Sequence, residues 1–506
     1  MLSRILSAGL LGVDAYLVEV EVDISLGLAK WNTVGLPESS VKESQDRVIA
    51  AIRNSGYDFH RRRITVNLAP ANIRKEGTAF DLPIAIGLLS SSELIPREPL
   101  SDYLVLGELS LHGEIKPVRG ALPIALLARS KKIPHLILPE KNSAEAAVVK
   151  GVTVLGVRTL SQVVQHFTGE KKLSPADTTT PQQKRSRQEV DFFEIKGQSH
   201  AKRAMEVAAA GGHHLLLIGP PGSGKTMLSQ RLPTILPPMS FEESLETTRI
   251  YSVAGLLHGE SILLERPFRT PHHTISDAGL AGGGATPRPG EISLAHNGVL
   301  FLDELTEFKK NVIDILRQPL ESQKITISRA HSSITFPARV MLVSSMNPCR
   351  CGYLGSSLPC HCTPQQIQLY RSRISGPILD RIDLQLEVPP VKYRDLLSQE
   401  EGESSFSIRQ RVLRAREIQG RRLACFEIHC NGQMTPRLIR KFCTVGPEES
   451  SLLERAIEKL RLSARAYDRI LKVARTIADL EESEKIGPNH LSEAIQYRSL
   501  DRSILQ

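Results

Sequence analysis

The order of apolar and polar residues divides the chain into stretches of different character. Between Gly169 and Val190, "GEKKLSPADTTTPQQKRSRQEV" has almost no large apolar side chains. Such a segment cannot bury enough surface to offset its ordering entropy and reads as a flexible linker. Beyond it come short, wholly apolar runs that each break off in polar residues: Leu215 to Ile218, "GVLFL" before Asp303-Glu304, and "RVMLVSSM" before Asn347. Runs apolar on both faces predict parallel strands buried between helices. "KITISRAHSSITFPARVMLV" instead alternates, predicting a hairpin that turns around Ala330 to Ser333. After Pro390, "SIRQRVLRAREIQGRR" and "SLLERAIEKLRLSARAYDRILKVARTIADLEE" space their apolar residues by three and four, as amphipathic helices do. The expected division is an N-terminal domain over 1–168, the linker over 169–190, an α/β core over 191–390 and a helical domain over 391–506. No repeat of fixed period is visible.

Composition narrows the setting. With 506 residues, 41% hydrophobic and 24% charged, the chain has an ordinary globular balance and length for two or three domains. Asp14, Glu19 and Glu21 interrupt the apolar N-terminus, and no segment approaches the roughly 18 apolar residues of a membrane span, so a cytoplasmic protein with no membrane partner is expected. A net charge of +9 favours an acidic partner such as nucleic acid, although an excess of this size is commonly a solvated surface.

The strongest chemical signal is Gly219-Pro220-Pro221-Gly222-Ser223-Gly224-Lys225-Thr226, set between an apolar strand and a helical pattern. Backbone amides of such a turn wrap a triphosphate, Lys225 reaches the outer phosphates, and the Thr226 hydroxyl ligates Mg²⁺. Asp303 is suited to hold the hydrated Mg²⁺ and Glu304 to polarise an attacking water; Asn347, at a third strand end, can orient that water. Convergence of three strand ends on one phosphate belongs to the carboxyl edge of a parallel α/β sheet. ATP hydrolysis is the predicted reaction.

These segments, with "YRSRISGPILDRIDL", resemble AAA+ ATPases of the magnesium-chelatase-like and MCM-helicase branch. "IKGQSHAKRAMEVAAAGGHHLLLIGPPGSGKTML", "PHHTISDAGLAGGGATPRPGEISLAHNGVLFLDEL" and "ARVMLVSSMNPC" are similar to the ComM (YifB) family of competence proteins, over essentially the whole chain. The resemblance implies that Lys225 and Thr226 are the Walker A pair, Asp303 and Glu304 Walker B, Asn347 sensor 1, Arg381 a finger acting on a neighbouring subunit, and Arg465 sensor 2, with Ile195, Lys196 and Gly197 bordering the adenine. For either arginine an ordinary surface ion pair is the competing reading. It also implies that "SDAGLAGGGATPRPGEIS", glycine-rich and too flexible for core, is the helix-2 insert. In the resembling hexamers that insert and the hairpin line a central pore, where Lys324, Arg329 and His331 near the hairpin tip would face a phosphate backbone. A plain solvated hairpin is the alternative.

The first 168 residues resemble the Lon-protease domain in its ribosomal-S5-like α+β form, through "ANIRKEGTAFDLPIAIGLLSSS" and "VLGELSLHGEIKPVRGALPIALLARSKKI". The nucleophilic serine's place falls on Ala79 and the lysine's near Leu122, so the dyad is absent and peptidase chemistry is not expected. Arg61, Arg62 and Arg63 offer either a basic edge for DNA or an exposed loop, and Arg409, Arg411, Arg414, Arg416, Arg421 and Arg422 either touch DNA or form a solvated helix face.

Four of the seven cysteines, Cys349, Cys351, Cys360 and Cys362, crowd into "NPCRCGYLGSSLPCHCTP". In a reducing compartment three readings are open: a closed tetrahedral Zn²⁺ site, with His361 able to replace a neighbour; spare reduced thiols; or a redox switch. Cys425, Cys430 and Cys443 read as buried apolar residues. Together with the resemblance, these features imply an ATP- and Mg²⁺-dependent homo-hexameric motor on single- and double-stranded DNA and branched junctions. It would act as a helicase and branch-migration enzyme alongside recombination machinery in natural transformation. The runner-up is a magnesium-chelatase-like or protein-remodelling ATPase.

Overall fold

The computed structural model describes residues 2–58, 62–177, 190–257, 259–284, 287–329, 332–356, 358–391, 402–426, 428–460, 462–498 and 500. The chain forms two compact units, one of 1–183 with 241–264 and one of 184–240 with 265–506. The segment 241–264, expected within the ATPase core, thus groups with the N-terminal residues. Its helix Phe241–Ala254 packs on the helix Ala121–Ser130, with Leu245 against the apolar cluster there and Gly120 N donating to Ser252 O at 3.1 Å.

In the first unit, β1 (Leu2–Leu11) and β2 (Asp14–Ser25) form an antiparallel hairpin closed by Gly12 and Val13, where Gly12 supplies the positive φ of +64°. Strands β3 (Lys30–Val34), β4 (Arg63–Ala69), β5 (Tyr103–Val105), β8 (His135–Pro139) and β9 (Thr153–Val157) complete a seven-stranded sheet in the order β3-β4-β2-β1-β5-β8-β9. A short separate pair, β6 (Glu108–Leu109) and β7 (Ile115–Lys116), stands apart from it. Alternate residues of β2 are buried, as the alternation in "LVEVEVDIS" dictates, and the wholly buried helix Asp81–Ser91 covers that face. Gly87 lets the helix sit close: a Cβ there would lie 2.6 Å from Val22 Cγ2.

The second unit is built on a parallel sheet of β10 (Leu215–Ile218), β11 (Phe268–Arg269), β14 (Val299–Leu302), β17 (Met341–Met346) and β18 (Leu384–Glu387), ordered β11-β14-β17-β10-β18. Every residue of β10, β14 and β17 is buried, which is why their sequences read as unbroken apolar runs. The register, Ile218 beside Met346 and Leu302 beside Ser344, brings the carboxyl ends of the three strands to one edge. Helices Ser405–Leu423, Pro436–Phe442, Pro447–Leu460, Ala464–Leu480 and Pro488–Gln496 follow, and their apolar stripes share one core with the sheet, Ile470 and Ala474 in the same cluster as Leu215 and Leu217.

Several arginines expected on a solvated or DNA-facing helix are internal ties. Arg411 is ion-paired with Glu206 and Glu403, Arg422 with the fully buried Asp479, and Arg416 donates to Ala209 O at 3.0 Å. Arg414 and Arg421 remain exposed. The glycine-rich insert also differs from its reading as too flexible for core. It folds as the helix Asp277–Ala281, the paired β12 (Gly282–Gly283) and β13 (Arg288–Pro289), and a turn of helix at Glu291–Leu294, with Leu280 and Ile292 fully buried. Its glycines serve close backbone approach: a Cβ on Gly290 would lie 2.3 Å from Gly282 N. Among the described residues no helix is long and apolar enough to cross a membrane.

Candidate active site

β10 leaves the sheet into the turn Gly219–Gly224, whose Gly222 and Gly224 have φ of +75° and +84°, and the helix Lys225–Ile235 starts at once. Gly219 has no room for a side chain, since a Cβ would meet Val388 O at 2.2 Å. The turn aims the unpaired N–H groups of a helix start at one point, the arrangement that receives phosphate. Lys225 is buried, and its Nζ donates to Gly219 O at 2.7 Å and Pro220 O at 2.9 Å, with Ser223 Oγ at 3.5 Å and Asn347 Oδ1 at 3.4 Å. Burial pushes its pKa down, against the opposing charges of Asp303 and Glu304. A desolvated ammonium hydrogen-bonded to neutral groups alone is poised for an incoming anion.

Thr226 Oγ1 donates to Asp303 Oδ2 at 2.8 Å, joining the helix start to the end of β14. The other carboxylate oxygen of Asp303 accepts from Glu304 N at 3.1 Å and from the Ser345 hydroxyl. Glu304 has left-handed backbone, φ +54°, a costly conformation for a side chain of its kind and one that clusters at functional sites. Its carboxylate is 57% exposed, with His273 Nδ1 at 4.0 Å. The hydroxyl of Thr226 and the carboxylate of Asp303 are hard oxygen donors that could hold a divalent cation between them.

Lys225, Thr226, Asp303, Glu304 and Asn347 therefore meet at one sheet edge. The two arginines do not join them. The Arg381 side chain is only 8% exposed and ion-paired with Glu321 of its own chain, so the finger reading requires that pair to open. Arg465 is exposed in the first turn of the helix Ala464–Leu480, with no hydrogen bond or ion pair among the described residues.

Sequence reading passed over Ser345 and Gln198. Ser345 interrupts a wholly buried strand, and its hydroxyl holds Asp303 while accepting from Glu304 N at 3.3 Å. A serine pair inside an otherwise apolar central strand was the available signal. Gln198 follows Gly197 and donates to Ser223 O at 2.7 Å, linking the segment of Ile195 and Lys196 to the turn Gly219–Gly224; no local pattern announces that contact.

The four clustered cysteines converge. Sγ of Cys349 lies 3.3 Å from that of Cys351 and 3.7 Å from that of Cys360, Cys351 lies 3.5 Å from Cys360, and all four sulfurs including Cys362 fall within 4.8 Å of one another. Tetrahedral zinc with bonds of about 2.3 Å separates its sulfurs by about 3.8 Å, so the set fits. A backbone N–H from Tyr353 draws the Cys351 thiol down to about 6; Cys360, despite the backbone N–H of Cys362, is pushed up to about 12 by burial and the neighbouring sulfurs. Ionised thiolates this close repel, and a cation would relieve them. His361 is exposed and outside the set. Of the other three cysteines, Cys430 and Cys443 are buried as expected, whereas Cys425 is exposed, in the 3-10 turn Ala424–Phe426 that follows the helix Ser405–Leu423.

The hairpin forms from β15 (Lys324–Arg329) and β16 (Ser332–Pro337). Its register corrects one placement: Lys324 pairs with Pro337 at the base, about 17 Å of strand from the tip, where Arg329 pairs with Ser332. Ala330 and His331 lie outside the described residues, as does Arg61 of the Arg61–Arg63 run; Arg62 and Arg63 are exposed. Ala79 and Leu122, in the places of the protease dyad, supply only apolar atoms, Leu122 fully buried.

Three family models match the chain: "Magnesium chelatase, subunit ChlI" over 191–396, "Subunit ChlI of Mg-chelatase" over 20–142, and "Magnesium chelatase, subunit ChlI C-terminal" over 402–498. Competence protein ComM of Haemophilus influenzae is 45% identical over 99% of this chain and 98% of its own length. The uncharacterized protein YifB of Escherichia coli is 44% identical over 100% of this chain and 98% of its own. Lon protease 2 of Bacillus subtilis is 26% identical over 175 residues, 30% of each chain.

Proposed function

The chain belongs to the ComM and YifB family of magnesium-chelatase-like AAA+ proteins, and from that membership we propose that it is an ATP hydrolase working in the cytoplasm as a hexameric DNA motor, a helicase and branch-migration enzyme on recombination intermediates. The observation that carries the ATPase half is the meeting of Lys225, Thr226, Asp303, Glu304 and Asn347 at one sheet edge. Lys225, released from the Gly219 and Pro220 carbonyls, binds the outer phosphates. Thr226 and Asp303 hold Mg²⁺, which supplies neutralising charge on the phosphate oxygens. Glu304, exposed and beside its backbone-fixed neighbour Asp303, takes the proton of the attacking water, and Asn347 orients that water. Ser345 keeps Asp303 and the Glu304 backbone in register.

Arg381 completes the site of a neighbouring subunit once its pair with Glu321 opens, and Arg465 reaches the same phosphates from the helical domain. Such trans completion makes hydrolysis depend on assembly. Support for DNA comes from the relatedness to a competence protein across nearly the full length of both chains, from the net charge of +9, and from an antiparallel hairpin whose last described strand residue at the tip is Arg329. Cys349, Cys351, Cys360 and Cys362 hold Zn²⁺ as a structural clamp. Strand displacement on forked and three-stranded DNA tests the reading. ATP-dependent displacement by wild type and none by Lys225→Ala supports it; ATP hydrolysis without displacement on any branched substrate points instead to a protein-remodelling or chelatase-like ATPase.

A further inference from the structure

The cysteine cluster and the phosphate-binding turn touch. Gly352, between Cys351 and Tyr353, has φ +86°, and a Cβ placed there would lie 2.7 Å from Cδ and 2.9 Å from Cγ of Pro221, with Asn347 Cγ at 4.0 Å. The backbone of the loop thus rests directly on the Pro221 ring, which is otherwise exposed in the turn. The same short stretch is held from both sides. Gly352 N donates to Cys349 O at 3.0 Å, closing a tight turn around the first two sulfurs, and Arg371 Nε donates to Pro348 O at 3.3 Å. Asn347, two residues before Cys349, accepts from Lys225. One clamped loop therefore braces two walls of the site: the outer face of the glycine-rich turn through Pro221, and the tip of β17 through Asn347.

A turn rich in positive-φ glycines has little rigidity of its own. Its amides bind phosphate well only when something outside it fixes their direction, because a misplacement of about 1 Å is enough to lose most of the benefit of orientation. In the loop beyond Asn347, Arg350, Gly355, Leu358, Pro359 and His361 are exposed, so much of it lies outside any apolar core. Beyond local turns closed by Gly352 N and Ser356 N, the four sulfurs gather it.

We propose that the cysteine loop positions the phosphate-binding turn, with Gly352 a positioning residue acting through Pro221 and Asn347, so that metal occupancy of the four thiolates and nucleotide affinity are reciprocally linked. The inference rests on the reading of Gly219–Thr226 as a nucleotide site. Because linkage is symmetric, a metal that tightens nucleotide must itself be tightened by nucleotide, by the same factor.

Two glycines in the loop make a matched pair of variants. Gly352 and Gly355 both have positive φ, +86° and +76°, so alanine strains the backbone similarly at each, but a Cβ at Gly355 would meet nothing within 4 Å. Binding of a fluorescent ADP to the full chain should weaken by about tenfold or more in Gly352→Ala and by less than about twofold in Gly355→Ala, with equal metal content and equal melting temperature in the two variants. Equal ADP affinity in both would overturn the positioning role. For the linkage, wild-type protein loaded with Co²⁺ reports its thiolates by absorbance. ADP should tighten Co²⁺ in competition with a chelator by the factor by which metal removal weakens ADP. An unchanged Co²⁺ affinity, or wild-type protein that takes up neither Zn²⁺ nor Co²⁺, would refute the linkage. Wild type that binds no ADP at all would refute the nucleotide site itself, an outcome separate from either.

Discussion

The sheet of the first unit buries alternate residues of β2 and that of the second buries every residue of β10, β14 and β17, and the two also differ in what stands at the positions where chemistry would occur. In the first, the places of a serine and a lysine hold Ala79 and the fully buried Leu122. Its buried carboxylates are spoken for: Asp81 takes two hydrogen bonds from Arg47, at 2.8 and 3.0 Å, and one from Leu109 N, while Glu145 accepts from Leu122 N at 2.9 Å. In the second, the buried Lys225 is hydrogen-bonded to the Gly219 and Pro220 carbonyls with the charges of Asp303 and Glu304 nearby, and the Glu304 carboxylate is open to solvent. The first unit also buries a lysine against a backbone carbonyl, Lys75 with Pro70 O, so an unmatched buried charge does not by itself make a site. In the second unit the buried lysine stands beside the carboxylates of Asp303 and Glu304 and the Thr226 hydroxyl, and that company is what sets it apart.

The sharpest way to break this contrast is to exchange chemistry between the units. Glu304→Gln should slow ATP hydrolysis by at least about a hundredfold while Mg·ATP binding survives, because the water loses its base and Asp303 stays; single-turnover kinetics with a separate binding titration checks both halves. The reciprocal substitution, Ala79→Ser, should confer no peptidase activity, since Leu122 offers no amine to activate the hydroxyl.

The next effect lies in pH. Burial pushes His214 down to about 4, and its Nδ1 accepts from Leu342 N at 3.1 Å, a bond that protonation removes. With an unfolded value near 6.5, its contribution is present above that pH and lost as pH falls through about 4. Asp81 runs the other way: burial raises it to about 6 despite Arg47, so its contribution is present below about 4 and lost as pH rises through 6. Acidification from pH 6.5 to 4 should therefore cost the second unit about 1–3 kcal/mol while the first is protected, as read by hydrogen exchange in each sheet. His214→Asn, which keeps an acceptor but does not titrate, should flatten the second unit's profile.

Ser345→Ala should lower turnover by about five- to tenfold with little change in melting temperature, since it removes one hydroxyl that steadies Asp303 and Glu304. The smallest effect is expected at Lys324. Lying at the base of its hairpin, Lys324→Ala should change DNA affinity by less than about twofold and the salt slope of binding by less than one unit.

What the sequence made legible was local. An apolar strand, a glycine turn and a lysine within twelve residues specify one another, so the turn Gly219–Gly224 and the strand ends at Asp303 and Asn347 could be read directly. Features set by tertiary contact could not. The ion pair of Arg381 with Glu321 spans sixty residues, and Gln198 meets Ser223 across a helix. Phe241–Ala254 buries mostly polar residues, Ser244, Thr247, Thr248 and Ser252 among them, so its sequence does not announce that it packs on the helix Ala121–Ser130. Lys324 was misplaced although the turn falls where alternation put it, because it lies five residues along the strand from Arg329 at the tip. The glycines at 282 and 290 were misread because close backbone packing and flexibility call for the same residue.

The account stands most directly on one measurement: phosphate release from Mg·ATP by the wild-type chain and by Lys225→Ala, each with and without forked DNA. It predicts Mg²⁺-dependent hydrolysis by wild type that rises several-fold with DNA and falls to background in the variant. Hydrolysis that persists in Lys225→Ala, or a wild-type protein that releases no phosphate in either condition, would contradict it.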